Sequence, residues 1–133
     1  MTVRLDVETQ TQRELRDITA RVQEVVTESG VQSGTCHLFV PHTTAGLTLN
    51  ENWDPDVRRD LVRALEAMIP QISYRHGQGN SPAHLLSSLM GVRESLCVDG
   101  GELVLGTWQG IYLTEFDGPR RRRVLVKVVA DAP

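Results

Sequence analysis

The chain has no apolar run near the roughly 20 residues that a membrane-spanning helix needs, and Met1-Thr-Val-Arg-Leu-Asp6 lacks the apolar segment of a secretory signal. Lysine is almost missing, with Lys127 alone beside thirteen arginines. Acidic residues still outnumber basic ones, 17 to 14, so there is no positive excess to draw the chain to nucleic acid or an anionic membrane. Aromatics make up only 5%, which leaves aliphatic side chains to build the core. The two cysteines, Cys36 and Cys97, lie in β-type runs far apart. Their number and spacing exclude a disulfide framework and a Cys-x-x-Cys metal site, and predict two buried free thiols in a reducing compartment. These absences point to a cytoplasmic protein with neither nucleic-acid nor membrane partners. With no internal repeat or low-complexity linker, residues 1–133 are expected to form one domain.

Alternation of apolar and polar residues predicts strands at Thr2–Thr9 and Arg13–Thr19, joined as an N-terminal hairpin. Ile18, Val22, Val25 and Val26 then recur at helical spacing, with Gly30 as the stop. Strands are expected over Gly34–Pro41 and Ala45–Asn50. A helix follows from Pro55 to Met68, capped by Asp54, with Val57, Leu61, Leu65 and Met68 as its apolar stripe. Ser81-Pro82 opens a shorter helix that runs to Met90 and stops at Gly91. Beyond it, Arg93–Val98, Glu102–Leu105, Gly110–Phe116 and Arg121–Ala130 read as a β-meander, the first pair joined through Asp99-Gly-Gly101. Links of hairpin length cannot join parallel neighbours, so the fold class is α+β with antiparallel sheet dominant.

Chemistry concentrates in two stretches, Pro41-His-Thr-Thr-Ala-Gly-Leu-Thr-Leu-Asn-Glu51 and Tyr74-Arg-His-Gly-Gln-Gly-Asn-Ser-Pro-Ala-His84, which hold three of the four histidines. In the second, Gly77 and Gly79 let backbone approach a ligand, and the turn feeds Asn80 and Ser81 into a helix start. Free N–H groups there suit phosphate or carboxylate; alternatively the glycines serve turn geometry and Ser81 caps the helix. His42, His76 and His84 are the candidate ligands for a three-histidine zinc site with an open position, although their spacing matches no standard metal motif. His37, beside Cys36, is a bystander. Glu51 is a candidate base, magnesium ligand or helix-dipole partner. Trp108-Gln109 reads either as core or as a ring-stacking wall with an amide donor. In a strand, alternate members of Arg120–Arg123 point to opposite faces, which favours a solvated edge or subunit contact paired with Glu115 and Asp117 over a nucleic-acid patch. Ser81 lacks the surroundings of an esterase nucleophile, and no organic cofactor motif is evident.

Together with Gly106-Thr-Trp-Gln-Gly-Ile111, these two motifs resemble the YjbQ family, and the resemblance extends from the Ile18 helix to Arg121-Arg-Arg-Val-Leu-Val126. Family motif positions are His42, Thr43, Thr44, Asn50 and Glu51; His76, Gly77, Gly79, Asn80 and His84; and Trp108, Gln109 and Glu115. Gly46 and Ser81-Pro82 stand where the family leads one to expect Ala and a different helix-opening pair. The resemblance implies a compact α+β fold with a β-sandwich core, assembled as a homotrimer whose subunit contacts complete or border the site. It also implies secondary thiamine-phosphate synthase activity, in which a pyrimidine pyrophosphate and a thiazole phosphate are joined and pyrophosphate leaves. On that reading His42 and His84 handle protons or a metal, Asn80, Ser81 and nearby amides hold phosphate, and Glu51 is base or ligand. Magnesium bound with the pyrophosphate is a second candidate cofactor, yet no close Asp/Glu pair is visible in the sequence. Glu51, Asp54 and Glu115 would have to converge through folding.

Overall fold

The computed structural model describes residues Met1–Pro133 as eight strands and three helices. In chain order these are β1 (Thr2–Glu8), β2 (Glu14–Asp17), α1 (Thr19–Ser29), β3 (Ser33–Phe39), β4 (Ala45–Glu51), α2 (Pro55–Ala67), α3 (Ser81–Met90), β5 (Arg93–Asp99), β6 (Glu102–Leu103), β7 (Gln109–Glu115) and β8 (Arg121–Ala130). They form two antiparallel sheets, a five-stranded one in the order β1-β8-β3-β5-β6 and a three-stranded one in the order β2-β7-β4. The α+β class with three helices is as the sequence implies. No helix is long and apolar enough to cross a membrane.

Period-2 patterning builds the core. Cys36 and Leu38 of β3, Leu96 and Val98 of β5, and Val124 and Val126 of β8 join Ile111 and Leu113 of β7 and Leu47 of β4. Helix α1 adds Val22, Val25 and Val26, and Ile18 just before it, to the same cluster of 17 buried residues. Each such aliphatic side chain contributes roughly 1.5–3 kcal/mol on burial. Gly30, at φ 73°, closes α1 in the left-handed conformation. Asp54 caps α2 by accepting from the Asp56 N–H at 2.9 Å, yet no residue of that helix is fully buried.

Local pattern misassigns some strand partners. β1 and β2 do not form a hairpin: β1 pairs with β8 and β2 with β7, in different sheets. β5 and β6 do form one, turning at Gly100 and Gly101, which both have positive φ. β7 and β8 again part into different sheets, so there is no meander. Alternation specifies which face of a strand is buried, whereas its partner is decided by closure of the sandwich. Cys36 is buried, and burial pushes its thiol up to about 11. Cys97 sits one register step away on β5 and faces outward, so only one of the two thiols is buried.

The β1–β2 and β7–β8 links cross between the sheets side by side at one end of the sandwich. The Thr9 N–H donates to the Arg120 carbonyl at 3.0 Å, and the Arg120 N–H to Thr9 Oγ1 at 2.9 Å. A Cβ on Gly118 would lie 2.4 Å from the Thr11 carbonyl oxygen, so the two links touch too closely for any other residue there. That corner positions the candidate site.

Candidate functional site

His42 and its neighbours occupy the link from β3 to β4. Thr44 is buried; its carbonyl accepts from the Phe116 N–H at 3.1 Å and from Arg122 Nη2 at 3.0 Å, while its Oγ1 accepts from the same Nη2 at 2.8 Å. His42 Nε2 accepts the Arg123 backbone N–H at 2.9 Å. An accepting nitrogen carries no proton, so the ring is neutral with its hydrogen on Nδ1. Partial burial lowers the imidazole below the usual histidine range, and the Arg122 and Arg123 charges push the same way against Glu115. His42 is therefore arranged as a neutral hydrogen-bond donor at Nδ1.

Helix α3 closes the other wall. Ser87 Oγ donates to the Ala45 carbonyl at 2.6 Å, and the Leu47 N–H donates to the Gly91 carbonyl at 3.0 Å, clamping the helix and its C-terminal turn onto β4. That clamp explains Gly46, where a Cβ would lie 2.5 Å from the Gly91 oxygen. His84 faces the resulting groove of about 450 Å³, which His42, Thr43, Ser87 and Ser88 also line. The His76 ring stands edge-on to that of His84 with centroids 5.8 Å apart. The fold thus gathers all three motif histidines along one edge. It does not group three His, Cys, Asp or Glu side chains as metal ligands, and His42 Nε2 is already committed.

The turn before α3 has fewer free donors than its glycines suggest. Gly79, at φ 75°, makes the turn and donates to the His76 carbonyl at 3.2 Å, whereas Gly77 has no positive φ. Asn80, not Ser81, is the N-cap residue; its carbonyl takes the N–H groups of Ala83 and His84, and Pro82 has none to offer. Ser81 is left as the N–H of the first turn without an acceptor in the chain. Asn80 Nδ2 donates to Asp117 Oδ2 at 3.0 Å, which ties the helix start to the β7–β8 link and leaves Asn80 Oδ1 buried and unpaired.

Behind the groove lies a buried ion pair. Glu115 follows Ile111 and Leu113 on the inward face of β7, and Arg122 precedes Val124 and Val126 on the inward face of β8. Arg122 Nε donates to both carboxylate oxygens at 2.9 and 3.1 Å, and its Nη2 bonds Oε2 as well. Thr9 Oγ1 donates to Oε1 at 2.7 Å and the Asp117 N–H to Oε2 at 3.0 Å. Burial alone would raise Glu115, but these hydrogen bonds and the Arg122 charge together hold it below the usual carboxylate range. Arg122 is thus no solvated edge residue, being 2% exposed. Its place was legible in the period-2 run Arg122, Val124, Val126. Arg121 pairs instead with Glu8 at 2.7 Å, and Arg120 with Asp117 at 3.1 Å.

The remaining predicted residues gather elsewhere. Asn50 and Glu51 end β4, where Glu51 is in register with Gln109 of β7. The seven residues of β4 put that end roughly 20 Å from His42. Trp108 is 56% exposed, outside the core, and meets the exposed Trp53 edge-on at 5.9 Å. Gln109 Oε1 accepts the Gly106 N–H at 2.8 Å, Asn50 Oδ1 accepts the Glu51 N–H at 2.7 Å, and Tyr112 donates its hydroxyl to the Glu51 carbonyl at 3.0 Å. Within one chain the motif residues therefore form two clusters at opposite ends of the three-stranded sheet.

Comparison with known proteins fits this geometry to a family. A family model described as UPF0047 protein YjbQ-like matches residues 3–131. The UPF0047 protein of Methanocaldococcus jannaschii is 44% identical over 132 residues, 98% of this chain and 96% of that protein. The UPF0047 protein YugU of Bacillus subtilis is 44% identical over 127 residues, 94% of this chain and 96% of that one. A crystal structure of an uncharacterised conserved YjbQ/UPF0047-family protein from Clostridium acetobutylicum superposes with a TM-score of 0.92 at 48% identity, covering 96% of this chain and 99% of its own.

Proposed function

The chain belongs to the UPF0047 YjbQ-like family, and from that premise we propose that it is a cytoplasmic enzyme acting on a small phosphorylated compound in the His42–His84 groove, with thiamine-phosphate synthase-type transfer as its reaction. One observation carries the reading: histidines from two separate motifs face one groove, and His42 is held there as a neutral donor. In the transfer, the thiazole nitrogen attacks the methylene carbon of the pyrimidine pyrophosphate, a C–N bond forms, and the C–O bond to pyrophosphate breaks. Negative charge then grows on the leaving oxygens. On this reading His42 Nδ1–H and the Thr43 hydroxyl, both lining the groove, donate to that charge, and His84 supplies a proton or a positive charge.

Glu51, Asn50, Trp108 and Gln109 lie too far from this groove to act in it within one chain. We assign them to a neighbouring subunit of a homotrimer, where a head-to-tail contact sets one subunit's β4 end against the next subunit's groove. The test is thiamine-phosphate formation by wild type and His84→Ala with both substrates and magnesium present. Activity in the wild type and collapse in the variant is the expected result; histidine-independent product, or none, removes the assignment. Mixing inactive His84→Ala with inactive Glu51→Ala then tests the shared site, since mixed trimers regain activity only if the two residues meet across a contact.

A second reading, a non-catalytic carrier of a phosphorylated metabolite, is favoured by the carboxylates beside the groove. Glu115 is committed to Arg122, and Asp117 to Asn80 and Arg120, so no free pair awaits magnesium pyrophosphate. Calorimetric binding without turnover would select it.

A further inference from the structure

A second groove, of about 490 Å³, runs between β2 and α2 and shares no lining residue with the histidine groove. Its charge is unusual for a chain of net charge −3: Arg13, Arg58, Arg59 and Arg63 line it against one carboxylate, Glu14. That carboxylate is spent. Its Oε2 accepts the Gln10 and Thr11 N–H groups, both at 2.7 Å, and its Oε1 faces Arg16 at 3.4 Å. Arg13 pairs with Glu66 at 3.1 Å while its Nε is buried without a partner, and Arg59 pairs with Asp56 at 2.9 Å on the open surface. Arg58 and Arg63 have no carboxylate partner in the chain.

Arg58 is nonetheless positioned, its guanidinium lying 5.8 Å from the centroid of the buried Tyr112 ring. On α2, Arg59 and Arg63 stand four residues apart on one face, beside Arg58, in a helix that is only partly buried. Like charges four residues apart destabilise a helix, and α2 has no fully buried residue to offset them. A bound anion would. The guanidinium fork matches phosphate oxygens in pairs, while Leu15, Pro55 and Val62 offer an apolar floor. The volume lies in the range of small-molecule sites.

We propose that this groove is a second binding site, for a phosphate-bearing small molecule held by Arg58 and Arg63 with its apolar part over Leu15 and Val62. The site is independent of the histidine groove, and its test separates the two. Binding of inorganic pyrophosphate and of phenyl phosphate is measured by calorimetry at constant ionic strength on wild type, Arg58→Ala/Arg63→Ala and His84→Ala, with folding and assembly followed by circular dichroism and light scattering. The expected result is saturable binding of both probes that weakens roughly tenfold or more in the double variant and persists in His84→Ala. Should the alanine variant not fold, Arg58→Lys/Arg63→Lys keeps the charge, loses the fork, and is expected to bind more weakly than wild type. Absence of saturable binding, binding unchanged by the arginine variants, or binding lost in His84→Ala overturns the proposal. So does a change of oligomeric state in the arginine variants, which would make the groove a subunit contact.

Discussion

Replacing Arg122 by Met would leave Glu115 buried, with only Thr9 Oγ1 and the Asp117 N–H as donors from its present set. The Thr44 carbonyl and hydroxyl would lose Arg122 Nη2 as well. Breaking a buried pair from one side costs about 3–5 kcal/mol, which for a chain of this size lowers Tm by roughly 10–20 °C. The pH dependence gives a sharper signature. In the wild type, Glu115 is held below its unfolded value, so its contribution is present above about pH 4.3 and is lost as pH falls through the lower folded value. Without Arg122, burial dominates and the folded value rises above the unfolded one. The penalty is then greatest at neutral pH and shrinks as acidification protonates the carboxyl. Thermal melts by circular dichroism at several pH values should therefore show the gap between wild type and Arg122→Met narrowing on acidification. Glu115→Leu/Arg122→Met, which removes both charges, should recover much of the loss. A cost below about 1 kcal/mol, or a gap that widens on acidification, would refute the reasoning.

Three further outcomes follow from the same geometry. In a histidine-resolved NMR titration His42 should titrate below the ordinary value of about 6.5, and in Arg122→Met it should move up, because a lowering charge is gone and Glu115 loses its counter-ion. Gly46→Ala should destabilise by about 1–3 kcal/mol in chemical denaturation, since its Cβ meets the Gly91 carbonyl; a neutral result would show that the α3–β4 clamp is slack. Asp54→Ala should cost about 1 kcal/mol and speed amide exchange within α2 far more than in the strands, because the cap is lost from a helix with no fully buried residue.

The sequence by itself determined the inner face of most elements and where the helices start and stop. Ile18, Val22 and Val26 specified the inner face of α1, Asp54-Pro55 the start of α2, and Gly100-Gly101 the β5–β6 turn, because each rests on interactions within a few residues. It also marked the two histidines that face one groove, His42 and His84, and His76 beside the second. Strand partnership was the work of tertiary structure. β1 chose β8 over β2, and β7 and β8 parted, because two sheets had to close over one core and hairpin-length links sufficed to cross between them. The same closure turned Arg122 from one of four adjacent arginines into the partner of Glu115, and exposed Trp108 where its strand-like surroundings suggested core. It also separated His42 from Glu51, nine positions apart in one motif, because β4 is extended and carries its two ends away from each other. Distance along a strand is visible in a sequence only once the segment is known to be a strand, and which neighbours stand at each end is decided by long-range pairing alone.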